Sequence, residues 1–363
     1  MKYRTELLRA ALAVEPEAAE RRSDLAWEYF RLGDVEEALK VAGEAVAPPS
    51  ILHLRGLCEH ARGRFGVARR HLSRACAQGV AAGADLAETM AYSGDECGAS
   101  KICQDLLEAD PHNAAVLRVE CGRLLRARDP RGLNDLCDKL TARGVSHGGL
   151  IAAKIAAMAM LGDRGAAEQA QDYRTRLWRG ALDLPAGFNS ELAMEILEHP
   201  NRAGVALRRS TIGGERVESP LTGAAPKLHA LANAIRGAAE DYLTMPDTGM
   251  LPEGFAAERR LQLKIWAVIL NENGYQKWHI HPAALVSGVY YAAVPPPHRD
   301  CADAGALEFD LISTEYDGRP VLPHRVRPEP GMLVLFPSYF AHRTIPTQSN
   351  EPRIAVAFDV LLR

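Results

Sequence analysis

The chain has 363 residues, 47% of them hydrophobic and 25% charged, an ordinary globular composition with room for about two domains. Its formal net charge of -3 gives no electrostatic case for nucleic acid or an anionic membrane surface. The opening run MKYRTELLRAALAVEPEAAE breaks its apolar stretch with charges, which argues against a signal peptide or a membrane-spanning helix.

Residues 1–178 read as stacked helical hairpins. A turn signature recurs in which Ala follows Gly by five positions: Gly33/Ala38, Gly63/Ala68, Gly94/Ala99 and Gly162/Ala167. The gap between the last two leaves room for one more unit through the degenerate turn LLRARDPRG at 124–132. A spacing of roughly 34 residues, with small residues where two helices cross, resembles the tetratricopeptide repeat. The best copy is LAWEYFRLGDVEEALKVAGEAV at 25–46. One hairpin cannot bury its apolar face alone, whereas a stack shares a continuous core. Such an array could bind a peptide or protein partner in a groove, or serve only as a scaffold. Six of the seven cysteines (Cys58, Cys76, Cys97, Cys103, Cys121 and Cys137) fall in these helical patterns with no CxxC pair, so buried free thiols and a cytoplasmic location are expected.

Composition shifts near 179. A helix is expected after Asn189 or Ser190 as N-cap, then a polar stretch at 208–223 as loop and edge strand. Pro226 opens a second helix, with Leu228, Leu231, Ile235, Ala238 and Tyr242 on one face, ending near Pro246. From 262 onward the pattern is β: QLKIWAVIL, LVSGVYYAAV, GALEFDLIS, MLVLFP and RIAVAFDVLL are strand-like runs between Pro, Gly and polar turns. Short strands without long intervening helices indicate a sandwich or barrel, and a double-stranded β-helix (jelly roll) fits best.

The chemistry gathers in the last ninety or so residues. His279 and His281 alternate with Ile280, so on a strand they share a face and could hold one ion together. His342 could complete a facial set from a later strand, following the buried run MLVLFP. Arg353, eleven residues further on, offers a permanent planar fork for a carboxylate, and could lie on a strand adjacent to that of His342. Either all three ligands are histidines, or His281 stands back and Glu308 or Asp310 supplies a carboxylate. By itself, a pair of acids on a strand more often faces solvent at an edge. His298 and His324 are expected in Pro-rich loops, and Trp266 and Trp278 as core aromatics. Ser287-Gly288 lacks the turn of a nucleophile elbow.

Three segments, WHIHPAALVSGVYYAAVP, PEPGMLVLFPSYFAHRTIP and PRIAVAFDV, together resemble the 2-oxoglutarate/Fe(II) oxygenase family that often follows tetratricopeptide repeats. The resemblance covers 262–363 strongly and 180–261 loosely. It implies Fe(II), 2-oxoglutarate and O2 as cofactor and cosubstrates. It also implies His279, His281 and His342 as metal ligands, Arg353 as cosubstrate anchor, and Tyr290 or Tyr291 as a further contact. Ala284, Ala341 and Ala355 depart from the family pattern, the last removing a hydroxyl beside the cosubstrate carboxylate.

The expectation is thus a helical repeat domain, 1–178, followed by a jelly-roll oxygenase domain, 179–363. The activity expected is hydroxylation of a C–H bond in a peptide, protein or small molecule, with release of succinate and CO2. The alternatives are a three-histidine iron dioxygenase that does not use 2-oxoglutarate, and an interaction module with an inactive jelly roll. No nucleic-acid or membrane partner is expected.

Overall fold

The structure, a computed structural model, describes residues 2–15, 18–43, 48–205, 209–245, 261–296, 299–311 and 321–362. His298 and Pro246 lie outside these. Contacts group the chain into two compact units. One comprises Met1–Asp129, Ala142–Val145 and Val205–Arg209, the other Pro130–Thr141, Ser146–Gly204 and Ser210–Arg363.

The first unit is helical: α1 (Lys2–Val14), α2 (Ala19–Arg31), α3 (Val35–Ala42), α4 (Pro49–Ala61), α5 (Phe65–Ala77), α6 (Gly83–Tyr92), α7 (Glu96–Ala109) and α8 (Ala114–Arg126). The Gly/Ala signature has the expected physical meaning. Gly33, Gly63, Gly94 and Gly162 all take positive φ, between 74° and 89°, the left-handed turn that glycine adopts without Cβ strain. Ala38, Ala68, Ala99 and Ala167 are all fully buried. Asp34, Asp95 and Asp163 cap the helix that follows each turn by accepting a backbone N–H. In the degenerate turn the left-handed position falls to Arg128 (φ 52°). Of the helical cysteines, Cys58, Cys103, Cys121 and Cys137 are buried, but Cys76 is partly exposed and Cys97 exposed.

The second unit opens with α9 (Pro130–Ala142), α10 (Gly148–Met160), α11 (Arg164–Gln171) and α12 (Tyr173–Arg176). Next come β1 (Trp178–Ala181), α13 (Phe188–Leu197), β2 (Arg202–Gly204), β3 (Thr211–Glu218) and α14 (Pro226–Thr244). The remainder is antiparallel: β4 (Leu261–His279), β5 (Val286–Ala293), β6 (Leu307–Asp310), β7 (His324–Val326), β8 (Met332–Pro337), β9 (Ala341–Thr344) and β10 (Arg353–Leu362). Helix α13 starts earlier than expected, capped by Gly187 at φ 80° rather than by Asn189 or Ser190. Strand β3 is no free edge, because β2 and β4 both pair with it.

The sheet order is β1-β8-β5-β10-β4-β9-β6-β7. Strand β4 is the hinge of this order. Its first half, 261–270, pairs with β10, while Gln276 and His279 pair with β9. From β4 onward the chain therefore passes back and forth between two layers, the first half of β4 with β10, β5 and β8, and its end with β9 and the β6–β7 pair. That is a jelly roll. Ile265, Ala267, Ile269, Ile354, Val356 and Phe358 pack outward against Leu192, Leu228, Leu231, Ile235 and Tyr242 of α13 and α14. The opposite, period-two face of the same strands turns Trp266, Val268, Leu270 and Ala357 inward.

Candidate metal centre

His279, His281 and His342 converge, each offering a ring nitrogen within 4.8 Å of the others. His279 ends β4 and stands directly opposite His342 on β9, with ring centroids 4.2 Å apart. His281 lies just beyond the strand. Its backbone N–H bonds to the Ser338 carbonyl, and its own carbonyl accepts from Ala284 N–H. The Ser338 hydroxyl closes the same turn on the Ala284 carbonyl. Pro282 ends the strand pairing at this point.

Each Nδ1 is already engaged: that of His279 with the Lys277 carbonyl at 2.7 Å, that of His342 with the Phe340 carbonyl at 2.8 Å, and that of His281 with Asp359 Oδ1 at 2.5 Å. A neutral imidazole bonded to an acceptor through Nδ1–H keeps its lone pair on Nε2, the arrangement a metal-binding histidine needs. Burial and the neighbouring His281 push the pKa of His279 down to about 3. Burial, then the two other histidines, hold His342 well below its ordinary value. Both therefore stay neutral near pH 7. Phe336 edges onto the His342 ring at 4.8 Å, and Trp266 stacks on His281 at 5.6 Å. Three converging imidazoles suit a divalent first-row transition metal with positions left open.

Arg353 is 2% exposed at the start of β10. Its guanidinium carbon lies 4.8 Å over the ring of Tyr291. Among the described residues, Arg353 Nε and the Tyr291 hydroxyl, both buried, find no hydrogen-bond partner. Among the described residues no carboxylate pairs with this cation. Burial pulls the Arg353 pKa down and pushes that of Tyr291 up, each partly offset by the other. Tyr290 is on the opposite face of β5, where its hydroxyl bonds Asn189 outside the jelly roll, so strand alternation leaves only Tyr291 beside Arg353.

Three expectations fail. Glu308 and Asp310 do not face solvent, being 2% and 0% exposed. They lie on the face of β6 opposite Phe309, which pairs with His342, so period two turns them away from the histidines. Glu308 is clamped between Arg325 and Arg343, at 2.7 and 2.5 Å, and Asp310 accepts the backbone N–H groups of Leu311, Val321 and Leu322. Nor are the strands of His342 and Arg353 neighbours. Strand β9 lies between β4 and β6, β10 between β4 and β5, because the jelly roll sends consecutive strands to different layers. His324 also belongs to a strand, β7, and stacks on Tyr173. Sequence reasoning passed over Asp359 and Ser287. The available signal was an acid at Asp359 in period two with Arg353 on an otherwise apolar strand.

Residues 264–359 match the family described as "Putative 2OG-Fe(II) oxygenase". In this segment the chain is similar to that family. The family takes Fe(II) with 2-oxoglutarate and O2, and the three histidines could hold the iron. No curated protein matches the chain. Among solved structures, the chain is similar to a prolyl-4-hydroxylase of Pseudomonas putida, at 16% identity over 59% of this chain and 99% of that one, with a TM-score of 0.38. HygX from Streptomyces hygroscopicus, solved with nickel, 2-oxoglutarate and hygromycin B, shares 14% identity over 52% and 84%, TM-score 0.38. A tetratricopeptide repeat protein from Parabacteroides merdae shares 15% over 46% and 69%, TM-score 0.39. No helix among the described residues is long and apolar enough to cross a membrane.

Proposed function

We propose that the chain is an Fe(II)/2-oxoglutarate-dependent dioxygenase that hydroxylates a C–H bond of a peptide, protein or small molecule, releasing succinate and CO2. The observation that carries this reading is Arg353, a buried cation with no carboxylate partner among the described residues, in the same jelly roll as three converging histidines. An isolated buried charge is costly; an anionic cosubstrate that pairs with it removes that cost.

In this reading His279, His281 and His342 hold the metal through Nε2. Arg353 takes the distal carboxylate of 2-oxoglutarate in a bidentate pair, and the Tyr291 hydroxyl donates to the same group. Bound iron supplies activation of O2 coupled to oxidative decarboxylation of the cosubstrate. The protein's part is to keep His279 and His342 neutral, fix one end of the cosubstrate, and exclude water with the inward side chains of Val268, Leu270 and Ala357.

We also propose a repeat domain over 1–178 that engages a peptide or protein partner, an oxygenase domain over 179–363, and a cytoplasmic location, supported by seven cysteines that form no disulfide. The test is anaerobic Fe(II) loading followed by O2 with and without 2-oxoglutarate, measuring succinate. Iron binding with 2-oxoglutarate-dependent succinate is expected. Iron binding without it would point to a three-histidine dioxygenase that binds its substrate's own carboxylate at Arg353. Absence of iron binding would sink both.

A further inference from the structure

We infer that Asp359 is a positioning carboxylate for the metal: through His281 it supplies the negative charge that the triad itself lacks. The inference rests on the proposed iron site. Of the three histidines, two give their Nδ1 protons to backbone carbonyls, and only His281 bonds a carboxylate. Asp359 Oδ1 also accepts the hydroxyl of Ser287 at 2.7 Å, and Ser287 is 1% exposed. The carboxylate is thereby fixed from two sides, by β5 and by the turn after β4. On the other side of His281, Trp266 stacks against the ring. The imidazole is held by this stack and by its Nδ1 bond, with Nε2 turned to its two partners.

The charge balance explains why such a group is needed. Fe(II) with two imidazoles and a carboxylate carries one net positive charge; with three neutral imidazoles it carries two. An aspartate bonded to a ligand's N–H makes that ligand a stronger donor and restores the missing charge one ring away from the metal. Glu308 and Asp310 cannot do this, since both face away from the triad. Asp359 shares the inward face of β10 with Arg353 by period two, so one strand carries both the charge that tunes the metal and the charge that receives the cosubstrate.

The test is anaerobic Fe(II) titration of the full chain and its variants. Asp359→Asn keeps the shape and an acceptor oxygen but removes the charge, and is expected to weaken Fe(II) binding about 10- to 100-fold. Its iron-loaded form should bind 2-oxoglutarate no more weakly than wild type, since the site is now more positive. The iron–cosubstrate charge-transfer band should move to shorter wavelength as the metal becomes electron-poorer. Asp359→Glu should recover part of the affinity. In a His281→Gln background the same Asp359→Asn change should have no further effect, because its route to the metal is gone; an additive loss overturns the inference even if the single variant folds poorly. Fe(II) affinity unchanged in Asp359→Asn also overturns it. So does a loss as complete as that of His342→Ala, which would make Asp359 itself a ligand. A wild-type protein that binds no Fe(II) overturns the iron site together with this inference, whereas normal iron binding with an indifferent Asp359 overturns the inference alone.

Discussion

At the scale of single residues, the site divides into what chemistry makes conspicuous and what only geometry reveals. His279, His281 and His342 stand out in the sequence because histidine is uncommon and their spacing is specific, and Arg353 because it follows them at the head of an apolar strand. Asp359 does not, since an acid near a chain end is ordinarily a solvated charge. Glu308 and Asp310 were misread for a related reason: nothing in GALEFD announces that Arg325 and Arg343 will come from two other strands to neutralise Glu308. Arg353 carries the sharpest prediction. Replacing a buried unpaired cation by an apolar side chain of similar length often stabilises a fold. Arg353→Met should therefore leave Fe(II) affinity intact, raise the melting temperature of the cosubstrate-free protein, and weaken 2-oxoglutarate. A weakening of roughly 10- to 150-fold corresponds to the loss of about 1.5–3 kcal/mol of charge-assisted bonding. Calorimetric titration and thermal melts check both arms, and unchanged 2-oxoglutarate affinity would refute the anchor.

At the scale of elements, the sequence told strand from helix well but not which strands would meet. The run at 262–270 reads as one strand ending in a polar stretch. In the structure it continues to His279, with Asn273 at φ 56° marking the bend where its pairing passes from β10 to β9. Period-two patterning is a local property, whereas the switch between layers is decided by distant partners. The segment SGVYY likewise has a packing explanation invisible in one dimension. A Cβ on Gly288 would lie 2.3 Å from Phe358 Cζ and 2.7 Å from the Val334 carbonyl oxygen, so β5 can sit between β8 and β10 only with glycine there. Gly288→Ala is expected to cost about 1–3 kcal/mol by overpacking and to lower the melting temperature by several degrees; an unaffected melt would show that the sheet has slack at this point. Tyr290 and Tyr291 show the same rule in a useful form, since adjacent residues on a strand cannot both reach one pocket.

At the scale of the whole molecule, the repeat signature was the most legible feature, because left-handed turns and close helix crossings tolerate so few residue types. Acid sensitivity follows from half-buried histidines in both units. His71, His147 and His324 all have pKa values lowered chiefly by burial. Their depressed folded values mean that the unfolded chain binds more protons below its ordinary pKa, so stability is full above about pH 6.5 and falls as pH drops below it. The urea midpoint should decline between about pH 7 and pH 5, and His324→Gln should make the decline shallower; a pH-independent midpoint would contradict this. One consequence lies in the pairing of β9. It meets β4 only at Gln276↔Thr344 and His279↔His342, with a register shift between them, a weak seam in an otherwise long ladder. An ion that His279 and His342 held, as proposed, would cross that seam as a latch. Amide hydrogen exchange in β9 should then slow markedly when Fe(II) is added, while β5 and β10, paired along most of their length, exchange at rates indifferent to it. Affinity for iron and the closure of one side of the jelly roll become a single quantity, so a cell poor in iron would hold a protein that is mechanically, and not only chemically, incomplete.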